Sequence, residues 1–193
     1  MSLRSLFLLA ALACSALAIA QPPKARPLPG DSVYQLALPL TTQDARTVDW
    51  RSLRGQVRLV SMFYTSCQYI CPLIVESGKA VERQLTPAQQ ARLGVLLISM
   101  DPARDGPAAL SAVATKRKLD AARWTLASPR KDDVRKVAGV LGIRYRLLAD
   151  GEFNHTSALI LLDAEGRIIA RTETIGSKPD PEFVAAVREV TSR

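Results

Sequence analysis

Cys67 and Cys71 frame the segment Cys67-Gln68-Tyr69-Ile70-Cys71-Pro72, directly after the apolar run Val57 to Phe63. The run reads as a buried strand, and Pro72 with the residues after it as the first turn of a helix, so both thiols belong to a strand-to-helix turn. There the helix dipole and free backbone N–H groups favour thiolate over thiol. Two thiolates so placed can close a disulfide or hold a soft metal ion. A disulfide would close a very short loop, and loop-closure entropy makes that a weak staple. An inert structural bridge is therefore a poor account of the pair.

The elements that must position this turn alternate between strand and helix. Val33 to Leu40 alternates loosely and is expected as a strand of an N-terminal hairpin, ahead of a polar turn from Asp49 to Gly55 and the strand Val57–Phe63. After the cysteines the pattern predicts a helix Pro72–Gln84, a helical turn Ala88–Arg92, a buried strand Val95–Met100, a loop Asp101–Pro107 and a helix Ala108–Lys118. A strand Trp124–Ala127, a helix Asp132–Leu141 stopped by Gly142 and a strand Ile143–Leu148 come next. The strongly apolar strand Thr156–Leu162, the turn Ala164–Gly166, the return strand Ile168–Thr172 and a helix Pro181–Val190 complete the pattern. Strands alternating with helices imply parallel pairing, and the late hairpin adds an antiparallel edge. The expected architecture is an α/β thioredoxin-like fold: a central mixed sheet flanked by helices, with an N-terminal hairpin and a mid-domain strand-helix insertion.

His155 is the only histidine of the chain. Taken alone, a single histidine is a packing or surface residue. Its place in Asn154-His155-Thr156-Ser157, just before the first strand of the late hairpin, changes that reading, because in a thioredoxin-like fold this loop faces the cysteine turn. Thiol oxidoreductases of this fold place a proline there, and here no proline stands between Pro129 and Pro179. Two thiolates select copper(I), and an added imidazole makes copper(II) tolerable. Structural zinc takes four protein ligands, and beyond these three only Cys14 remains.

With 193 residues, 48% of them hydrophobic, the chain is long enough for one good-sized domain. Residues 1–20 read as an export signal: a short positive start, the apolar stretch Leu6–Leu12 and the small-residue pattern Ala18-Ile19-Ala20. A retained membrane anchor is the competing reading, although the stretch is short for a span. Ala11-Leu12-Ala13-Cys14 weakly resembles a lipoprotein cleavage box, but the apolar run continues past Cys14, which is expected to leave with the signal. Residues 21–30, rich in proline and basic side chains, are expected as a linker, and residues 31–193 as the domain. The chain is thus placed in the periplasm or on the outer face of the cytoplasmic membrane, with membrane association through the signal if it is uncleaved. Outside the cytoplasm paired thiols tend to oxidise. The net charge of +8 does not mark a nucleic-acid binder, because acids interrupt the basic residues, as in Arg130-Lys131-Asp132-Asp133.

Thr65-Ser66-Cys67 through Pro72, Ser99-Met100-Asp101-Pro102-Ala103-Arg104-Asp105, His155-Thr156-Ser157 and Leu161-Leu162-Asp163-Ala164-Glu165-Gly166 together resemble the Sco/SenC family. The resemblance runs from about Asp49 to Gly176. It implies a copper-binding protein with Cys67, Cys71 and His155 as ligands. Such proteins help assemble the dinuclear copper centre of cytochrome c oxidase, as copper donors, as reductants of its cysteines, or both. The implied partner is the copper-centre subunit of that oxidase. One departure stands out: the family commonly has Pro-Asp after the first cysteine, and this chain has Gln68-Tyr69. Loss of that aspartate leaves another exported copper protein open as the partner.

Two functions compete on these residues. A copper chaperone uses both thiolates and His155. A thiol-disulfide reductase needs only Cys67 as attacking thiolate and Cys71 as resolving thiol. A peroxidase of peroxiredoxin type ranks below both, because the Pro-x-x-x-Thr-x-x-Cys turn is missing. Asp105 is expected as a cap or turn residue and Asp101 as a strand-end turn. Tyr64 and Tyr69 are expected as packing or rim residues, and Trp50, Trp124, Met62 and Met100 as core.

Overall fold

The computed structural model of the protein describes residues 26–67 and 69–193. The expected signal, Cys14 and the first half of the expected linker, residues 21–25, lie outside the described residues. Among those described, no helix is long and apolar enough to cross a membrane.

Among the described residues, nine strands and five α-helices succeed one another as β1 (Pro39–Thr42), β2 (Thr47–Asp49), β3 (Val57–Phe63), α1 (Ile70–Glu82), α2 (Pro87–Arg92), β4 (Leu93–Ser99), α3 (Pro107–Lys116), β5 (Trp124–Pro129), α4 (Val134–Val140), β6 (Tyr145–Leu147), β7 (Phe153–His155), β8 (Leu159–Leu162), β9 (Ile168–Thr172) and α5 (Pro181–Ser192). Seven strands form one sheet in the order β2-β1-β5-β4-β3-β8-β9. The centre is parallel: β3 runs beside β4 from Val57 opposite Leu93 to Phe63 opposite Ser99, and β4 beside β5. The flanks β1 and β8 are antiparallel. All seven residues of β4 are buried, as a continuous apolar run predicts for a strand covered on both faces. Helix α1 packs on β3 and β8, α3 on β5 and α5 on β9. This is the mixed, helix-flanked sheet expected from the alternation of elements.

The departures have local causes. The expected strand over Val33–Leu40 is instead a 3-10 turn, Val33–Gln35, ahead of β1. The Ser32 hydroxyl accepts the Tyr34 N–H, and the Val33 N–H donates to the Gly166 carbonyl, so the apolar alternation serves packing and not pairing. The polar turn expected over Asp49–Gly55 contains a second 3-10 turn, Trp50–Leu53, capped by the Asp49 carboxylate and carrying the buried Trp50. The N-terminal hairpin exists, but as β1 and β2. Helix α1 begins at Ile70, two residues before Pro72, which puts Cys71 inside its first turn. Finally, the expected strand Ile143–Leu148 shortens to β6 and pairs with β7, an element the sequence pattern did not separate, as a small sheet of its own. His155 thus ends a strand, instead of lying in a loop before one.

Candidate metal and redox centre

Strand β3 is central and fully buried from Leu59 onward, so its carboxyl end is a rigid base for the cysteine turn. The Cys67 N–H donates to the Tyr64 carbonyl at 3.3 Å, closing the turn. The Cys71 N–H, one of the free donors of the first turn of α1, points at Cys67 Sγ at 3.3 Å. The Tyr64 N–H in turn points at Cys71 Sγ at 3.4 Å. Both thiols are free, with Cys67 8% and Cys71 4% exposed.

These contacts split the pair. Burial raises the Cys67 thiol, but hydrogen bonds from the Cys71 N–H and thiol and from the Tyr69 N–H help outweigh it, and the net direction is down. Burial pushes the Cys71 thiol well up, opposed by the Tyr64 N–H and reinforced by the neighbouring Cys67 and by Asp105. Cys67 is the more readily ionised of the pair, and Cys71 holds its proton more tightly.

Asp105 ties this turn to the next strand. The α3 N-cap is Gly106, so of the two expectations for Asp105 the turn holds and the cap does not: its N–H donates to the Asp101 carbonyl at 2.9 Å ahead of the helix. Its wholly buried carboxylate accepts the Thr65 hydroxyl at 2.5 Å, the Thr65 N–H at 3.1 Å and the Ser99 hydroxyl at 2.5 Å. Burial still raises its carboxyl, the three donors offsetting part of the effect. No sequence signal marked this role, because Thr65 and Ser99 come from separate chain segments that only the parallel pairing of β3 and β4 brings to one end of the sheet. Asp101 turns the chain after β4 and pairs with Arg104. Arg104 then reaches the Gly151 carbonyl at 2.6 Å.

His155 stands on the other side of Tyr64. The imidazole and phenol rings meet edge-on, 5.9 Å between centroids, and Phe153 meets Tyr64 similarly at 5.1 Å. His155 Nδ1 lies 3.1 Å from the Thr156 carbonyl, which fixes Nδ1 as the protonated nitrogen. Nε2 is buried and without a partner. Burial lowers the imidazole below its ordinary value, the Thr156 carbonyl opposing, so the ring is neutral with a free acceptor lone pair. That is the protonation state a metal ligand needs. Among the described residues no three His, Cys, Asp or Glu side chains gather as a metal-ion group. The two thiols are together, and Tyr64 contacts both the cysteine turn, through its N–H, and His155, through its ring.

Tyr64 was expected as a packing or rim residue. It is buried, but its hydroxyl donates to Glu152 at 2.7 Å and receives the Phe153 N–H at 3.4 Å. Glu152 had no sequence signal at all. Tyr69 is 85% exposed, while Trp50, Trp124, Met62 and Met100 are buried as expected.

The family model SCO1/SenC matches residues 30–192. A SCO1 protein homolog of Bacillus subtilis (strain 168) is 22% identical over 153 residues, covering 78% of this chain and 79% of that protein. Among solved structures, a SCO1/SenC family lipoprotein from Bacillus anthracis str. Ames superposes with a TM-score of 0.71 at 20% identity, covering 80% of this chain and 93% of the other. ScoI of Bradyrhizobium japonicum with copper bound superposes with a TM-score of 0.67 at 22% identity, covering 80% and 98%. At these identities the structural likeness shows a shared fold.

Proposed function

This chain belongs to the SCO1/SenC family, and from that premise we propose that it is an exported copper carrier that loads, or keeps reduced, the copper centre of cytochrome c oxidase. Copper is its cargo. Cys67, Cys71 and His155 are the residues that would hold it. The observation that supports this reading is the unpartnered, buried Nε2 of a neutral His155 packed on Tyr64, the same residue whose N–H reaches a sulfur of the thiol pair. A soft thiolate pair with one imidazole suits copper in either oxidation state, and copper at the Bradyrhizobium relative supports the cargo. Export is supported by the sequence of residues 1–20 and by the lipoprotein relative.

The split between the two thiols favours a second activity on the same residues. The Cys67 thiolate attacks a partner disulfide, forming a mixed disulfide and releasing one partner thiolate. Cys71, losing its proton, then attacks Cys67 Sγ, releases the second partner thiol and leaves a Cys67–Cys71 disulfide, so two electrons pass to the partner. Because metal binding needs reduced thiols, the two activities are mutually gated.

Copper titration of the reduced protein beside His155→Ala separates the readings. We expect about one copper(II) per chain to survive desalting, with a thiolate charge-transfer band in the visible, and to be lost in the variant. Retention unchanged by the substitution removes His155 from the ligand set. A wild type that keeps no copper leaves the reductase alone.

A further inference from the structure

A cavity of about 480 Å³ opens beside the thiols, between the end of β3, the start of α1 and the last turn of α3. Phe63, Val75 and Val113 supply its apolar lining, Cys67 stands in its wall, and Lys116 and Arg117 bring two positive charges to it. None of its lining residues is acidic. Among the described residues neither cation has a carboxylate within ion-pair distance, whereas Arg104, Arg123, Arg130 and Arg167 each face one. The Lys79 ammonium binds the Arg117 backbone carbonyl at 2.5 Å, which adds a third positive charge near the end of α3. On the cysteine turn itself, Tyr69 is 85% exposed and Leu73, in the first turn of α1, 44% exposed. A cleft with an apolar floor, in which Phe63 and Val75 are almost wholly buried, and two unpaired positive charges therefore meet at the reactive thiol, a combination that suits a docking site.

We propose that this cleft docks an acidic, extended segment of the partner polypeptide, with an aliphatic side chain seated on Phe63, Val75 and Val113 and carboxylates against Lys116 and Arg117. The proposal rests on the copper and thiol reading above, because the docked segment would present the partner's own cysteine to Cys67. The volume admits one or two side chains and not a folded element, which is why the occupant is an extended segment. The charge of the whole chain, +8, acts in the same sense by attracting an acidic partner at long range.

The test uses the full chain and a fluorescent decapeptide holding one leucine, two glutamates and a serine in place of cysteine, beside a twin with glutamines for the glutamates. Binding is read by anisotropy at low salt. We expect the acidic peptide to bind more tightly than its twin, Lys116→Gln with Arg117→Gln to weaken it about three- to tenfold, and Lys116→Glu with Arg117→Glu to abolish it. Equal binding of the twin, or full affinity in the glutamine variant, overturns the proposal. So does binding confined to phosphatidylglycerol vesicles with none to the peptide. Copper retention, measured on the same preparations, keeps the two readings apart. A wild type that binds peptide but no copper supports docking and sinks the metal site. One that holds copper and ignores the peptide overturns docking alone.

Discussion

Cys67 and Cys71 are chemically alike in the sequence and unlike in the fold. The difference is a matter of donors and of burial. Each sulfur has one backbone N–H within hydrogen-bond distance, Cys67 from Cys71 and Cys71 from Tyr64. The Tyr69 N–H and the Cys71 thiol also favour the Cys67 thiolate, whereas deeper burial opposes ionisation of Cys71. The thiolate is the nucleophile, so alkylation rate follows the ionised fraction. For Cys67 the rate should rise with pH and level off at a lower pH than for an ordinary thiol. For Cys71 it should be slow and still rising there. Peptide mapping after short iodoacetamide pulses across pH 6 to pH 9 reads both, and equal labelling at neutral pH would contradict the assignment of Cys67 as the attacking thiol. His155 belongs to the same scale. Its identity as the one imidazole was legible without a structure, but the neutral ring with an open Nε2 follows from burial and from the Thr156 carbonyl, neither of which spacing reveals.

The β6–β7 pair is the element that carries His155, and it is short, three residues per strand and outside the main sheet. Two such strands are marginal alone, so the pair depends on side-chain anchors. These are the Tyr64 hydroxyl on Glu152, the Tyr64 ring against Phe153 and His155, and Arg104 on the Gly151 carbonyl. Tyr64→Phe keeps the ring contacts and deletes only the hydroxyl. We expect a loss of about 1 kcal/mol in stability, with faster hydrogen exchange in residues 145–155 and little change in β3 and β4. Uniform protection in the variant would show that the hydroxyl does not hold the hairpin. Sequence pattern missed β7 because three residues of mixed polarity, Phe153-Asn154-His155, carry no usable period. The long apolar strands β3, β4 and β8 were legible for the opposite reason.

The whole molecule holds the site by packing α1 and α3 against a buried parallel centre. One close approach tests that packing. Gly78 of α1 lies over the Trp124 ring of β5, and a Cβ there would come within 2.6 Å of Trp124 Cη2. The ring cannot yield, because its indole N–H donates to Glu82 at 2.9 Å and Arg123 holds the same carboxylate at 3.0 Å. Gly78→Ala gains about 1 kcal/mol of helix propensity, but overpacking costs about 1–3 kcal/mol. We expect a lower urea midpoint with an unchanged m-value, and a raised midpoint would mean the helix shifts freely on the sheet. From sequence alone, the order of the longer strands and helices from β3 onward, the mixed sheet, the thiol pair at a strand-to-helix turn and the family resemblance were readable, because apolar period, turn residues and motif spacing are local. Where Asp105 points, which thiol ionises more readily, that Tyr64 contacts both the cysteine turn and His155, and that a basic cleft adjoins Cys67 were decided by tertiary structure. Each depends on groups distant in the chain meeting in a low-dielectric interior, where burial and a few donors outweigh intrinsic residue preference.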